Sequence, residues 1–173
     1  MAKLNRILVP VDFSACSQAA LDYAAFLAQL TAASVDVLHV WEPPLFPSDR
    51  SAIYGANERK QKLVEFMATI AGHEMERVLG ELEPKLGERV RGRIESGRPV
   101  SAILSVLADG AYDLVVMGTH GRRGISRMTM GSVAEQIVRR ARCPVVTVRA
   151  GAVALEQAGL RAPSVRAGST TRA

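Results

Sequence analysis

The chain has 173 residues, 48% hydrophobic, 23% charged and 5% aromatic, a balance that suits one globular domain and excludes wholesale disorder. Its two cysteines, Cys16 and Cys143, exclude a disulfide scaffold and fit a reducing compartment. The net charge is +5; Arg161, Arg166 and Arg172 against Glu156 put +2 of it in residues 150–173 and leave only +3 on residues 1–149. With no aromatic platform or recognition helix in view, that surplus does not predict a nucleic-acid surface.

Residues 6–11 (Arg-Ile-Leu-Val-Pro-Val) form a β-branched run that predicts a buried strand. It ends in Asp12-Phe13-Ser14, where the Ser14 hydroxyl can cap a following helix. Ala20, Ala24, Leu27 and Ala28 recur at helical spacing, giving a helix over about 15–32 whose small residues suit close packing on a sheet. Residues 1–5 lead straight into the first strand. The stretch 19–40 is interrupted by Asp22, Gln29, Thr31 and Asp36. Neither a secretory leader nor a membrane span is expected, and the reading is of a soluble, cytoplasmic protein.

Residues 34–41 read as a second strand, which Pro43, Pro44 and Pro47 prevent from continuing. Residues 42–57 are expected to be a loop of unassigned purpose. A helical pattern resumes at Glu58 and runs through Leu63, Phe66, Met67, Ile70, Met75, Val78, Leu79 and Leu82, with Pro84 expected just beyond its end. Val90, Gly92 and Ile94 alternate with Arg91, Arg93 and Glu95, which predicts a strand at a sheet edge with one solvated face. Gly97-Arg98-Pro99 turns the chain into a helix carrying Val100, Ile103, Leu104 and Leu107. Residues 113–117 are a fourth strand. A glycine-rich segment, 118–131, delivers the chain into a helix carrying Ala134, Ile137, Val138 and Ala141, and residues 144–148 are a fifth strand, with Cys143 ahead of it expected in the core. Residues 150–173 show no sustained period and are expected to be a flexible basic tail.

Five strands alternating with four helices predict a single α/β domain: an open five-stranded parallel sheet with helices on both faces. Ligands of such sheets bind beyond the carboxyl ends of the strands. Asp12, Val40 and the glycine segment all fall at that edge. Glycines let backbone approach an anion closely, and Gly131-Ser132 sits at a helix start, where unpaired N–H groups and the helix dipole favour negative charge. Arg122, Arg123 and Arg127 add positive charge and are candidate phosphate contacts. Other nucleotide and hydrolase signatures are absent: there is no Gly-Lys pair of a P-loop, no G-x-G-x-x-G after the first strand, no H-E-x-x-H and no G-x-S-x-G.

The spacing of Gly118, Gly121 and Gly131-Ser132, preceded by Asp-Leu-Val-Val-Met and followed by Val-Ala-Glu-Gln-Ile-Val-Arg-Arg-Ala-Arg-Cys-Pro-Val, resembles the ATP-binding branch of the universal stress protein family. The opening Ile-Leu-Val-Pro-Val-Asp, the Val-Leu-His-Val of the second strand and Gly97-Arg98-Pro99 match as well, so the resemblance spans residues 4–149. It implies a Rossmann-like, adenine-nucleotide alpha hydrolase-like domain over 1–149 that binds ATP. Asp12 would hold the ribose hydroxyls, and Pro10, Val11 and Val40 would line the adenine slot, with main-chain atoms of Val40 reading the base edge. Gly118, His120, Gly121, Gly131, Ser132 and Val133 would surround the triphosphate. Mg²⁺ or Mn²⁺ would be held through the phosphates, with no metal site of the protein's own. The resemblance also implies a homodimer joined along the edge of strand 144–148, and a nucleotide-responsive role in stress adaptation. Two further readings stay open: a slow ATPase or (auto)phosphotransferase, for which no base can be named, and a dimeric stress scaffold that binds no nucleotide. Trp41 either stacks on a base or closes the core.

Overall fold

The computed structural model describes residues 3–43, 56–121 and 130–150, with side chains from residue 61 onward in the second span. Arg122, Arg123 and Arg127, residues 44–55 of the expected 42–57 loop, and residues 151–173 of the expected tail lie outside the described residues. Residues 56 and 57 already belong to the helix expected from Glu58.

The elements run β1 (Arg6–Val11), α1 (Ala15–Thr31), β2 (Ser34–Trp41), α2 (Ala56–Leu86), β3 (Val90–Ser96), α3 (Pro99–Asp109), β4 (Leu114–Gly118), α4 (Ser132–Arg140) and β5 (Val145–Val148). The strands form one sheet in the order β3-β2-β1-β4-β5, and every pairing is parallel. β1 lies at the centre, which is why Ile7 to Val11 are all buried. β3 is an edge strand, as its alternation of charged residues requires, with Arg91 and Arg93 exposed.

Alternation along the strands separates two cores. Ile7, Val9, Val11, Val35 and Val37 pack with Ala20, Leu21, Ala24 and Ala28 of α1 and with Met75, Val78, Leu82 and Leu86 of α2. Leu8, Leu38, Val115 and Met117 face the other way, against Ile103 and Val106 of α3 and Ala134 and Ile137 of α4. Alanines at 20, 24 and 28 let α1 approach the sheet without side chains holding it off; all three have no exposed surface.

The main departure from the sequence reading is α2, which runs through Pro84 to Leu86 instead of stopping before the proline. Proline removes one intrahelical bond and crowds the preceding turn, at about 3 kcal/mol. Leu82 and Leu86, one turn apart around it, are 2% and 3% exposed. Burying two such side chains contributes about 1.5–3 kcal/mol each, enough to hold the last turn. Cys143, expected in the core, is half-buried and packs against the α3/α4 cluster. Burial pushes its thiol pKa up. No helix among the described residues is long and apolar enough to cross a membrane.

Candidate functional site

The strand order reverses between β1 and β4, so the crevice opens beyond Val11 and Gly118. Asp12 is the first residue past β1. Its Oδ1 accepts from the Ser14 N–H at 3.1 Å and from the Ser14 hydroxyl at 2.6 Å. The same hydroxyl oxygen accepts from Ser17 N–H at 3.3 Å and so caps α1. Phe13 between them has φ +61°, a left-handed conformation that bulky residues rarely adopt. Its ring lies 4.4 Å from that of His39. His39 Nδ1 lies 2.8 Å from the Val11 carbonyl oxygen, and because a carbonyl only accepts, Nδ1 carries the proton.

β4 delivers the glycine segment to the same edge. A Cβ at Gly118 would stand 2.8 Å from Cys16 Cβ and 2.9 Å from its carbonyl carbon, so this glycine lets the first turn of α1 rest on the end of β4. A Cβ at Gly121 would stand 2.6 Å from Asp12 Oδ2. The loop is tied at both ends, with Thr119 N–H donating to Val148 O at 2.8 Å and Gly131 N–H donating to Thr119 O at 2.7 Å. His120 Nδ1 lies 3.0 Å from Thr119 Oγ1. Gly131 is the N-cap of α4 and makes no side-chain cap bond. The first-turn amides of that helix, those of Ser132, Val133 and Ala134, have no acceptor within the helix itself, whereas Glu135 N–H already donates to Gly131 O at 3.0 Å.

The structure thus brings Asp12, His120, Gly121 and Gly131-Ser132 to one edge, with Gly118 beneath them. It does not bring the three adenine-slot residues together as side chains. Val11 points into the α1/α2 core at 6% exposure, whereas Val40 packs on the α3/α4 cluster and Pro10, by alternation, shares that second face. Trp41 lies with Phe13, His39, Met67, Ile70 and Glu74 around a cleft of about 90 Å³ against α2. Among the described residues, no group of three or more His, Cys, Asp or Glu side chains could hold a metal ion.

Ser14 is thus more than a helix cap: its bond to Asp12 is signalled in the sequence by the Asp-x-Ser spacing, which closes a turn from carboxylate to the residue two on. A polar cluster with no local sequence signal lies at the other end of the strands. There Arg6 Nε donates to Asp36 Oδ2 at 2.9 Å and Tyr112 OH donates to the same oxygen at 2.7 Å. Nearby, Asp113 accepts from the amides of Asn5 and Arg6. These contacts join the starts of β1, β2 and β4 and stand apart from the crevice.

The model of the universal stress protein family matches residues 3–149. This chain belongs to the universal stress protein family. Universal stress protein MJ0577 of Methanocaldococcus jannaschii is 29% identical over 84% of this chain and 94% of its own length. The solved structure of MJ0577 aligns at a TM-score of 0.72 over 86% of this chain and 97% of that one, with 28% identity. Universal stress protein UspA from Lactobacillus plantarum aligns at 0.75, with 25% identity over 86% of this chain and all of that one. A universal stress protein from Archaeoglobus fulgidus, solved in complex with dAMP, shares the fold at 0.53 and 20% identity, over 86% of this chain and 99% of its own.

Proposed function

We propose that this universal stress protein binds ATP in the crevice between β1 and β4 and acts as a nucleotide-responsive cytoplasmic regulator in stress adaptation. The observation that carries the reading is the meeting of Asp12 with the glycine loop. One carboxylate stands at the strand end, and the N-terminus of α4, without a side-chain cap, opens immediately past the loop's second tie. A carboxylate is an acceptor for ribose hydroxyls, and a helix N-terminus is a donor for phosphate.

The residues fit the nucleotide on their own chemistry. A Cβ at Gly121 would stand 2.6 Å from Asp12 Oδ2 and one at Gly131 3.1 Å from Thr119 O, so the two glycines let the loop close on Asp12 and on itself at this edge. Asp12 would take the ribose; Pro10, Val11 and the main chain at Val40 would border the base; Gly118, His120, Gly121, Gly131, Ser132 and Val133 would surround the phosphates. Arg122, Arg123 and Arg127 would add charge there. Mg²⁺ or Mn²⁺ would arrive with the nucleotide and supply charge neutralisation of its phosphates, since the described residues offer no cluster to hold the ion alone. A deoxyadenosine nucleotide bound to the Archaeoglobus relative supports an adenine nucleotide as the ligand class. The reading includes a homodimer along β5, the last strand in the sheet order.

Calorimetric titration of ATP, ADP, AMP and cyclic AMP, each with Mg²⁺, tests the site directly. Gly131 has φ −63°, which any residue adopts, and a Cβ there asks Thr119 O, 3.1 Å away, to give by a few tenths of an ångström. Gly131→Asp therefore places a carboxylate at the α4 N-terminus, with circular dichroism to check that the fold is kept. Saturable ATP binding that Gly131→Asp abolishes is the expected result. No adenine-nucleotide binding up to millimolar concentration would defeat the proposal.

A further inference from the structure

An aspartate's carboxylate turns about a broad, two-fold torsion, so a site that needs its two oxygens in one plane has to fix them from outside. Here both oxygens are addressed. Oδ1 takes two donors from one residue, the Ser14 amide at 3.1 Å and the Ser14 hydroxyl at 2.6 Å. The hydroxyl is oriented in turn by the Ser17 N–H at 3.3 Å, making a chain from helix amide to hydroxyl to carboxylate in which each bond polarises the next. Oδ2 faces Gly121, where a Cβ would approach to 2.6 Å. Gly121 has no left-handed φ, so its backbone conformation does not demand glycine; the nearness of the Asp12 carboxylate does.

The path from Asp12 back to Ser14 is itself held. It passes through Phe13 at φ +61°, whose ring rests on His39, and His39 donates from Nδ1 to the carbonyl of Val11 on the other side of Asp12. β2 therefore braces both flanks of the residue. We propose that Ser14 and Gly121 are positioning residues for Asp12: Ser14 fixes the plane of the carboxylate, Gly121 gives Oδ2 its room, and together they set the preference of the site for a ribose with its hydroxyls intact. This rests on the reading of Asp12 as the ribose acceptor. It also gives Gly121 a duty that its place in a phosphate-binding spacing would not suggest.

The experiment is a calorimetric comparison of ATP with 2′-deoxy-ATP and 3′-deoxy-ATP, with Mg²⁺, on the full chain and on Ser14→Ala, Ser14→Thr and Gly121→Ala. The unchanged protein is expected to favour ATP over at least one deoxy analogue by about tenfold or more, the size expected when a hydrogen bond to a charged group is lost. Ser14→Ala is expected to bring that ratio close to one, chiefly by weakening ATP, and Ser14→Thr to restore it. Gly121→Ala is expected to narrow the ratio as well. Ser14→Ala also removes the cap of α1, but a loss of folded protein lowers all affinities alike and leaves their ratio untouched. An unchanged ratio in Ser14→Ala would overturn the inference and leave Ser14 as a cap alone, with the Asp12 reading standing. Equal binding of ATP and both deoxy analogues by the unchanged protein would overturn the ribose reading and this inference with it.

Discussion

Asp36 sits in β2 at 8% exposure, on the strand face that otherwise carries Leu38. A carboxylate there is tolerated because Arg6 and Tyr112 both donate to it, and the Arg6 guanidinium lies 4.5 Å from the centre of the Tyr112 ring. Tyr112 bears the mark of this in its own ionisation: burial first, and then the hydrogen bond to Asp36, push its phenol up to about 12. An unfolded tyrosine ionises near 10, so between about pH 10 and 12 the folded chain keeps a proton that the unfolded chain gives up. This part of the stability is fully present below 10 and is lost as pH rises through 12. Urea unfolding at pH 8, 10 and 11.5 is expected to show a fall over the upper interval that Tyr112→Phe reduces. The same substitution should lower stability at pH 8 by about 1–3 kcal/mol, because a buried carboxylate loses one donor. The sequence displayed Asp36 only as a break in an apolar stretch. Its partners are 30 and 76 residues away in the chain, and no local pattern carries that distance.

At the level of elements, α2 shows what periodicity reports and what it leaves out. Leu63, Phe66, Ile70, Met75, Val78 and Leu82 all recur at helical spacing, yet they divide sharply. Phe66 is 62% and Ile70 48% exposed, whereas Met75, Val78 and Leu82 are 4% exposed or less. Spacing names a face of the helix; only the sheet, which α2 meets along β3 and β2, decides how much of that face is covered. The end at Leu86 instead of before Pro84 is the same lesson, since burial of Leu82 and Leu86 outweighs a local rule about proline. Two substitutions in one helix should therefore differ several-fold. Leu82→Ala is expected to cost about 2–5 kcal/mol, the range for a buried leucine that leaves a cavity. Phe66→Gln should stay within about 0.5 kcal/mol, as at an ordinary surface position. Parallel urea titrations decide it, and equal losses would mean that the first half of α2 is covered in solution. The strands were the more legible elements, because β-branched runs such as residues 7–11 are long enough for burial on both faces and too short for a helix.

For the molecule as a whole, topology follows from the alternation of strands and helices, and the crevice from where the order reverses. Asp12 and the glycine spacing could be placed at that edge from sequence alone. The contact of Gly121 with Asp12 could not, since it joins residues more than a hundred positions apart by the closing of a sheet. Quaternary structure is the remaining scale, and β5 supplies the argument. Its hydrogen bonds to β4 use the carbonyls of Pro144 and Val148, which accept from Val115 and Thr119. In a parallel pair, bonding residues alternate along the strand, so Val146 shares that inward set while Val145 and Thr147 turn their N–H and C=O groups outward. Those outward groups are what a second copy would pair with in the proposed homodimer. Thr147→Pro removes an outward N–H and none of the bonds to β4, at an edge position where proline is admitted. Sedimentation equilibrium should give a dimer for the unchanged chain and a monomer for Thr147→Pro, with near-unchanged circular dichroism. A dimer that survives this substitution would mean that the subunits meet through another surface.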